Sequence, residues 1–381
     1  MLRATDMAYI RHIPPSQAGG RLAQVYREIR SEVPRVPNLL QSLSLRPETM
    51  EGVYRLWIAL MWSRRLSRQV KEMLAVSVSK SSRCDYCTDA HMIYLLASGM
   101  DGERARDLRA RMADADGLSG AERVALRTAV RLTTDPRSMK GPQRDALVEA
   151  WPVLEERVEL VAVIASFNSV TRLANGLGVE SEIPAPLRRF EVGKRGAIGV
   201  LARLAAYSMD MGEKSVPGET PEADRAVFRQ LFLDQLGFAS LPPGFELLES
   251  CPEVFDGQLR VIRKAVAVMP RDRWMRIGLV VGRLTGCDYF ASACGEWIRQ
   301  RGENPADIVA AAEGSPTSLP DGEHACLRFA RDLTLHSHTI TEERIHDLRR
   351  VGLSDGAILD LAYVTSVFNG LVRLVLGLAP N

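Results

Sequence analysis

Cys84 and Cys87 form a Cys-x-x-Cys pair, and His91 follows the second cysteine by four residues in the stretch EMLAVSVSKSSRCDYCTDAH, Glu72 to His91. Two thiols, an imidazole and a carboxylate in so short a span are the parts of a redox-active thiol site. Residues three or four apart face each other on a helix, so Cys87 and His91 can share a face. An imidazole beside a thiol favours the thiolate, the reactive form, and a helix N-terminus lowers the thiol pKa further. Ser81, Ser82 and Arg83 read as a break before a helix that opens at or near Cys84. Two cysteines across a first helical turn can close into a disulfide with little backbone movement. Glu72, on the preceding helix, is placed to orient His91 in an arrangement of nucleophile, base and orienter.

This Glu-x11-Cys-x-x-Cys-x3-His pattern resembles the active-site signature of the AhpD-like family, within the carboxymuconolactone decarboxylase superfamily of all-helical proteins. The resemblance implies that Cys87 is the peroxidatic thiol and that Cys84 resolves it as a disulfide. It implies also that His91 is the base and Glu72 its partner in a proton relay. AhpD itself carries a second histidine just before the second cysteine, where this chain has Tyr86. Two blander readings stand beside this one. A Cys-x-x-Cys can be half of a zinc site with His91 as a third ligand, but no second such pair completes a structural set. Buried thiols can also be simple packing groups, a reading that leaves Glu72 and His91 unexplained.

The remainder of the chain must position these groups. Its 381 residues are 46% hydrophobic and 25% charged, with net charge +2, as in an ordinary soluble globular protein of two or three domains. So near-neutral a balance gives no argument for nucleic acid or an anionic membrane. Six cysteines are too few for a secreted disulfide scaffold. The first residues hold no apolar signal core, and no uninterrupted run of 18 apolar residues is present, so a cytoplasmic protein is expected.

Helical spacing dominates from end to end. Helices are expected over 20–32, 47–63, 66–80 with Glu72, and 84–98, the last closed by Gly99. The sequence Ser119-Gly-Ala-Glu122 reads as a capping box for a helix to about Thr133. A long, largely buried helix is expected from Glu155 to Asn175, ended by Gly176 and Gly178. Asn168, Arg172 and Asn175 on it read as groups that satisfy buried backbone at a helix contact. Tyr54, Trp57 and Trp62 are either pocket lining or plain core. With no alternating strand pattern, the fold class is all-α.

The C-terminal half repeats this plan. Gly286-Cys287-Asp288-Tyr289 echoes Arg83-Cys84-Asp85-Tyr86, and Phe368-Asn369-x3-Arg373-Leu374 echoes Phe167-Asn168-x3-Arg172-Leu173. Pro252-Glu253-x3-Gly257 likewise echoes Pro47-Glu48-x3-Gly52, in the same order and at nearly one offset. The expectation is two tandem AhpD-like domains packed as an intramolecular pseudo-dimer. Residues 1–183 would carry the redox site, 184–220 a linker and 221–381 a degenerate copy. In that copy Phe290, Cys294 and Met275 replace Cys87, His91 and Glu72. Cys287 and Cys294 lie about 10 Å apart along one helix, too far to bond within it. The basic residues Arg188, Arg189, Lys194, Arg195 and Arg203 read as a solvated linker face. His336, His338 and His346 read as surface or core histidines, since no pattern completes a metal set.

The function expected is a thiol-dependent peroxidase or disulfide oxidoreductase acting on a small hydroperoxide. An external dithiol or protein reductant would regenerate it, with no bound cofactor, no metal, no nucleic-acid or membrane partner, and possible homo-oligomers. The alternatives are a decarboxylase-type lyase or specialised pathway enzyme on the same fold, and a non-catalytic redox switch built on Cys84 and Cys87.

Overall fold

A computed structural model describes residues 7–33, 35–182, 226 and 229–379, and among them every regular element is helical. The linker expected at 184–220, its basic residues included, lies outside the described residues. The N-terminal set comprises α1 (Gly20–Glu32), α2 (Asn38–Ser42), α3 (Pro47–Trp62), α4 (Arg68–Ser81), α5 (Asp85–Ala97), α6 (Gly102–Arg111), α7 (Gly120–Thr134), α8 (Gly141–Ala150) and α9 (Leu154–Leu177). The C-terminal set comprises α10 (Pro252–Ala267), α11 (Arg271–Thr285), α12 (Asp288–Arg299), α13 (Pro305–Glu313), α14 (Asp321–His336), α15 (Glu342–Arg350) and α16 (Asp355–Leu378). From α3 and α10 onward the two sets correspond helix for helix. Their starts lie between 355 − 154 = 201 and 252 − 47 = 205 residues apart.

Local chemistry explains the boundaries. Ser67 caps α4 by accepting from the Val70 amide, so this helix begins two residues later than the apolar pattern suggests. Ser119 and Glu122 form a reciprocal capping box on α7. One expected boundary is corrected: α9 runs through Gly176, which packs against Leu333, and stops only at Gly178, whose φ of 62° is left-handed. The sequence reading did not separate α2, α6 and α8, which lack a strong apolar stripe.

The two longest helices, α9 and α16, are apolar enough over 18-residue windows to cross a membrane, yet those windows are 83% and 100% buried within the molecule. They pack against each other. The approach is close enough that a Cβ at Gly370 would fall 2.3 Å from Ser169 Oγ. A second contact joins α3 to α10, where Gly257 faces Leu56 across 2.9 Å from an ideal Cβ. Ion pairs also tie the two sets. Arg46 grips Asp360 through two bonds of 2.8 and 2.7 Å, and Arg65 pairs with Glu253.

The α9–α16 contact is polar at its centre and reciprocal. Asn168 Nδ2 donates to Thr133 Oγ1 at 3.1 Å and to the Ile164 carbonyl at 2.9 Å. Asn369 does the same with Thr334 Oγ1 and the Thr365 carbonyl, at 2.9 and 3.0 Å. Each asparagine oxygen then accepts from the arginine one turn on, Arg172 at 2.8 Å and Arg373 at 2.9 Å. The two guanidinium groups cross over: Arg172 donates to the Thr334 carbonyl and Arg373 to the Leu132 carbonyl. Asn175 adds bonds to the Ser82 carbonyl and Ser337 Oγ. The backbone-satisfying role expected for Asn168, Arg172 and Asn175 is what these contacts display.

Replacing either asparagine with alanine removes the side-chain acceptor of a buried guanidinium N–H and the donor to a buried threonine oxygen, which keeps only its bond to the carbonyl one turn back. Asn168→Ala and Asn369→Ala are each expected to lower stability by about 2–3 kcal/mol. Because both act on the α9–α16 contact, the double variant should be non-additive. Urea unfolding of the three variants checks this, and losses below about 0.5 kcal/mol would remove the clamp from the account.

Candidate active site

The site is built by α4 and α5, with α9 laid across them. Cys84 is the N-cap of α5 in extended backbone, φ −97° and ψ 97°, and its carbonyl accepts from the Thr88 amide at 2.9 Å. Arg83, just before it, takes a left-handed φ of 50°, which turns the chain sharply from α4 into α5. Cys87 therefore lies in the first turn of α5, with His91 one turn further along the same face. All four expected residues are buried: Cys84 and Glu72 fully, Cys87 at 2% exposure and His91 at 6%.

Glu72 and His91 meet directly. His91 Nδ1 lies 2.7 Å from Glu72 Oε2, while Arg68 Nε donates to Glu72 Oε1 at 2.6 Å. Burial alone would raise the Glu72 carboxyl, but Arg68 first and His91 second hold it below the usual carboxylate range. An ionised Glu72 can only accept. Nδ1 therefore carries the proton of a neutral His91, and Nε2 is left as the basic nitrogen. The ring is fixed by edge contacts to Phe167 at 4.6 Å and Tyr94 at 5.3 Å. Arg68 is in turn seated over Trp62 at 4.3 Å. A neighbouring buried pair, Lys71 with Glu159 at 2.8 Å, is separate from this relay.

The thiols depart from expectation. The sequence pointed to a Cys87 thiolate stabilised by His91 and the helix N-terminus. Instead both cysteines are free thiols, and Cys87 is pushed well above the usual thiol range. Its hydrogen bond with Cys84 is the largest cause, burial the next, and the Glu182 carboxylate adds to them. Cys84, not Cys87, occupies the cap. No hydrogen bond joins His91 to Cys87, although both face one cavity.

That cavity has a volume of about 110 Å³ and is mainly apolar. Tyr54 and Trp57 line it, as one of the two readings foresaw, whereas Trp62 stands outside as the platform for Arg68. Tyr86, at the position of the second histidine in AhpD, also lines it, donates to Glu182 Oε1 at 3.2 Å and accepts from the Leu39 amide. The far wall comes from the C-terminal set, through Gln258, Val261, Tyr363, Ser366, Val367 and Gly370. Sequence reasoning missed Arg68, although its spacing of four from Glu72 was a usable signal. It also missed the far-wall residues, for which no local signal exists. Among the described residues no group of three or more His, Cys, Asp or Glu could hold a metal ion. Of the other histidines, His336, His338 and His346 are exposed, and His338 Nε2 lies 3.2 Å from Arg83.

Comparison with known proteins adds the ancestry. Residues 47–130, which span α3 to most of α7, match the model of the Carboxymuconolactone decarboxylase family. This stretch is a domain of that family. An alkyl hydroperoxide reductase of Mycobacterium tuberculosis is 31% identical over 204 residues, a match covering 52% of this chain and 54% of that protein. The chain thus spans about half the length of the curated relative it matches. A crystal structure titled as an alkylhydroperoxidase AhpD core, an uncharacterized peroxidase-related protein from Ralstonia eutropha JMP134, is similar at 22% identity and a TM-score of 0.43. It covers 47% of this chain and 94% of that one. The family domain contains Cys84, Cys87, His91 and Glu72.

The elevated Cys87 thiol has a measurable consequence. A raised pKa keeps the sulfur protonated near neutral pH, so iodoacetamide should label Cys87 slowly at pH 7, and faster as pH climbs past the ordinary thiol value of about 8.5. Cys84→Ala removes the leading cause of the rise and should move the rate–pH profile to lower pH. A profile that stays in place would show that Cys84 does not set the Cys87 pKa.

Proposed function

We propose that the chain is a thiol-dependent hydroperoxide reductase whose redox pair is Cys84 and Cys87. The observation that carries this reading is the buried relay Arg68–Glu72–His91, ending in a basic Nε2 on the cavity that Cys87 also faces. The raised Cys87 thiol holds its proton at rest, so His91 acts when the peroxide arrives. It takes the Cys87 proton as the sulfur attacks the terminal peroxide oxygen and the O–O bond breaks. The departing alkoxide collects that proton and leaves as the alcohol, and Cys87 becomes a sulfenic acid. The Cys84 thiol then attacks the Cys87 sulfur, water leaves, and a disulfide remains. One hydroperoxide and two thiols give one alcohol, one water and one disulfide. An external dithiol or protein reductant returns the pair to thiols, consistent with a cytoplasmic setting. The name of the curated relative, alkyl hydroperoxide reductase, supports the same chemistry.

In this reading residues 221–381 are a degenerate copy that serves in place of a second subunit, and residues 1–183 carry the chemistry. The helix-for-helix correspondence and the reciprocal Asn–Arg contacts support that partition. A lyase reading is favoured by one observation, the family model itself. The same cysteine variants discriminate the two.

Stoichiometric hydroperoxide should link Cys84 to Cys87 within one chain, seen as loss of two thiols and one cross-linked peptide on mass mapping. Cys84→Ser should stop at a sulfenic acid on Cys87 that dimedone captures, and Cys87→Ser should abolish turnover. His91→Ala should slow Cys87 oxidation by about a hundredfold. Cys84 and Cys87 left unlinked after oxidation would sink the mechanism, and activity surviving in Cys87→Ser would favour the lyase.

A further inference from the structure

The wall opposite the thiols is not uniformly apolar. Ser166 and Ser169 from α9, Gln258 from α10 and Ser366 from α16 all border the cavity. Gln258 is 5% exposed and Ser366 1%. Gln258 Nε2 donates to Ser166 Oγ at 2.8 Å, and Ser169 Oγ donates to the Ser366 carbonyl at 2.7 Å. Within the protein these bonds leave Gln258 Oε1 and the Ser166 hydroxyl proton unused. Ser366 Oγ is buried with no hydrogen-bond partner at all. Buried polar groups are costly when unmatched, and a native structure ordinarily satisfies them.

Correspondence between the halves sharpens the point. Gln258 stands where the N-terminal set has Val53, which borders the same cavity, and Ser366 stands where it has the fully buried Ala165. The half without the thiol relay therefore places polar groups where its counterpart has apolar ones. Apolar side chains such as Trp57 and Leu60 surround the space between this wall and Cys87, and no Lys, Arg, Asp or Glu borders it. A charged ligand would lose its hydration without a counter-ion, whereas an uncharged hydroxyl, which both accepts and donates, would be matched by two hydroxyl donors and one amide acceptor.

We propose that the C-terminal half selects the substrate, through a subsite of Gln258, Ser166 and Ser366 that binds an uncharged hydroxyl group on the apolar tail of an organic hydroperoxide. This rests on the cavity being the peroxide's binding place, but its test does not require turnover.

Calorimetry on the reduced full-length chain would measure binding of a tertiary alkanol, the product-like parent. It would also measure diol analogues of equal length with the second hydroxyl moved stepwise along the chain. At least one hydroxyl position is expected to bind about tenfold more tightly than the parent, and Gln258→Leu and Ser366→Ala should each erase most of that preference. Equal binding of parent and all analogues, or a preference that survives both substitutions, would overturn the proposal. Should Gln258→Leu fail to fold, Ser366→Ala decides alone, since it only removes an unpartnered hydroxyl. Failure of the peroxidase reading would show separately, as no Cys84–Cys87 disulfide with any hydroperoxide.

Discussion

Two buried guanidinium groups that lack a carboxylate partner hold the halves together. Arg172 and Arg373 sit at the α9–α16 contact and are served by carbonyl and amide oxygens alone. Burial pushes Arg172 down to about 10, and burial, joined by the Arg172 charge, pushes Arg373 well below the usual range. Such groups tolerate no loss of a partner, because every lost acceptor leaves a charged donor unsolvated. Each arginine takes its last acceptor from the other half, so neither half satisfies its own cation. This fixes the position of α9, and with it Phe167 against His91. It also fixes α16, which closes the cavity opposite Cys87.

Within that shared frame the halves diverge in how they fill the same space. Lys71, Glu72, Cys87 and His91 correspond to Trp274, Met275, Phe290 and Cys294. The C-terminal set packs rings there: Trp274 on Phe368 at 4.1 Å, and Phe290 against Phe368 at 5.7 Å. A buried relay and a buried aromatic cluster are alternative ways to occupy one interior volume. Only the first needs a matched set of charges and hydrogen bonds. The turn before the capping cysteine shows the same divergence. Gly286 adopts φ 69° at no steric cost, whereas Arg83 holds φ 50° as a side-chain-bearing residue.

What was legible in the sequence follows from range. The Cys-x-x-Cys, His91 and Glu72 lie within twenty residues, so spacing alone located them, and capping chemistry located α7. The repeat was legible because Asn168, Arg172, Asn369 and Arg373 do the same structural work twice. The rise at Cys87 was not legible because its leading cause is the neighbouring Cys84 thiol, a matter of side-chain direction that no spacing reveals. Gln258 and Ser366 were invisible for a different reason. Their meaning arises only when α10 and α16 cross to the other half's cavity, more than 150 residues from the thiols (258 − 87 = 171).

Glu72 is the point at which all of this becomes chemistry, and its two oxygens are divided. Oε1 is held by Arg68 and Oε2 by His91, while Lys71, next in sequence, turns to Glu159, Ser63 Oγ and the Ser63 carbonyl. Adjacent helical positions point about 100° apart, so Lys71 can serve Glu159 without competing for Glu72. Arg68, joined by His91, keeps Glu72 ionised despite complete burial, and Oε2 fixes the imidazole. With Lys71 committed to Glu159, Glu72 keeps its carboxylate for Arg68 and for Nδ1 of His91, and that last bond sets the tautomer that leaves Nε2 as the basic nitrogen.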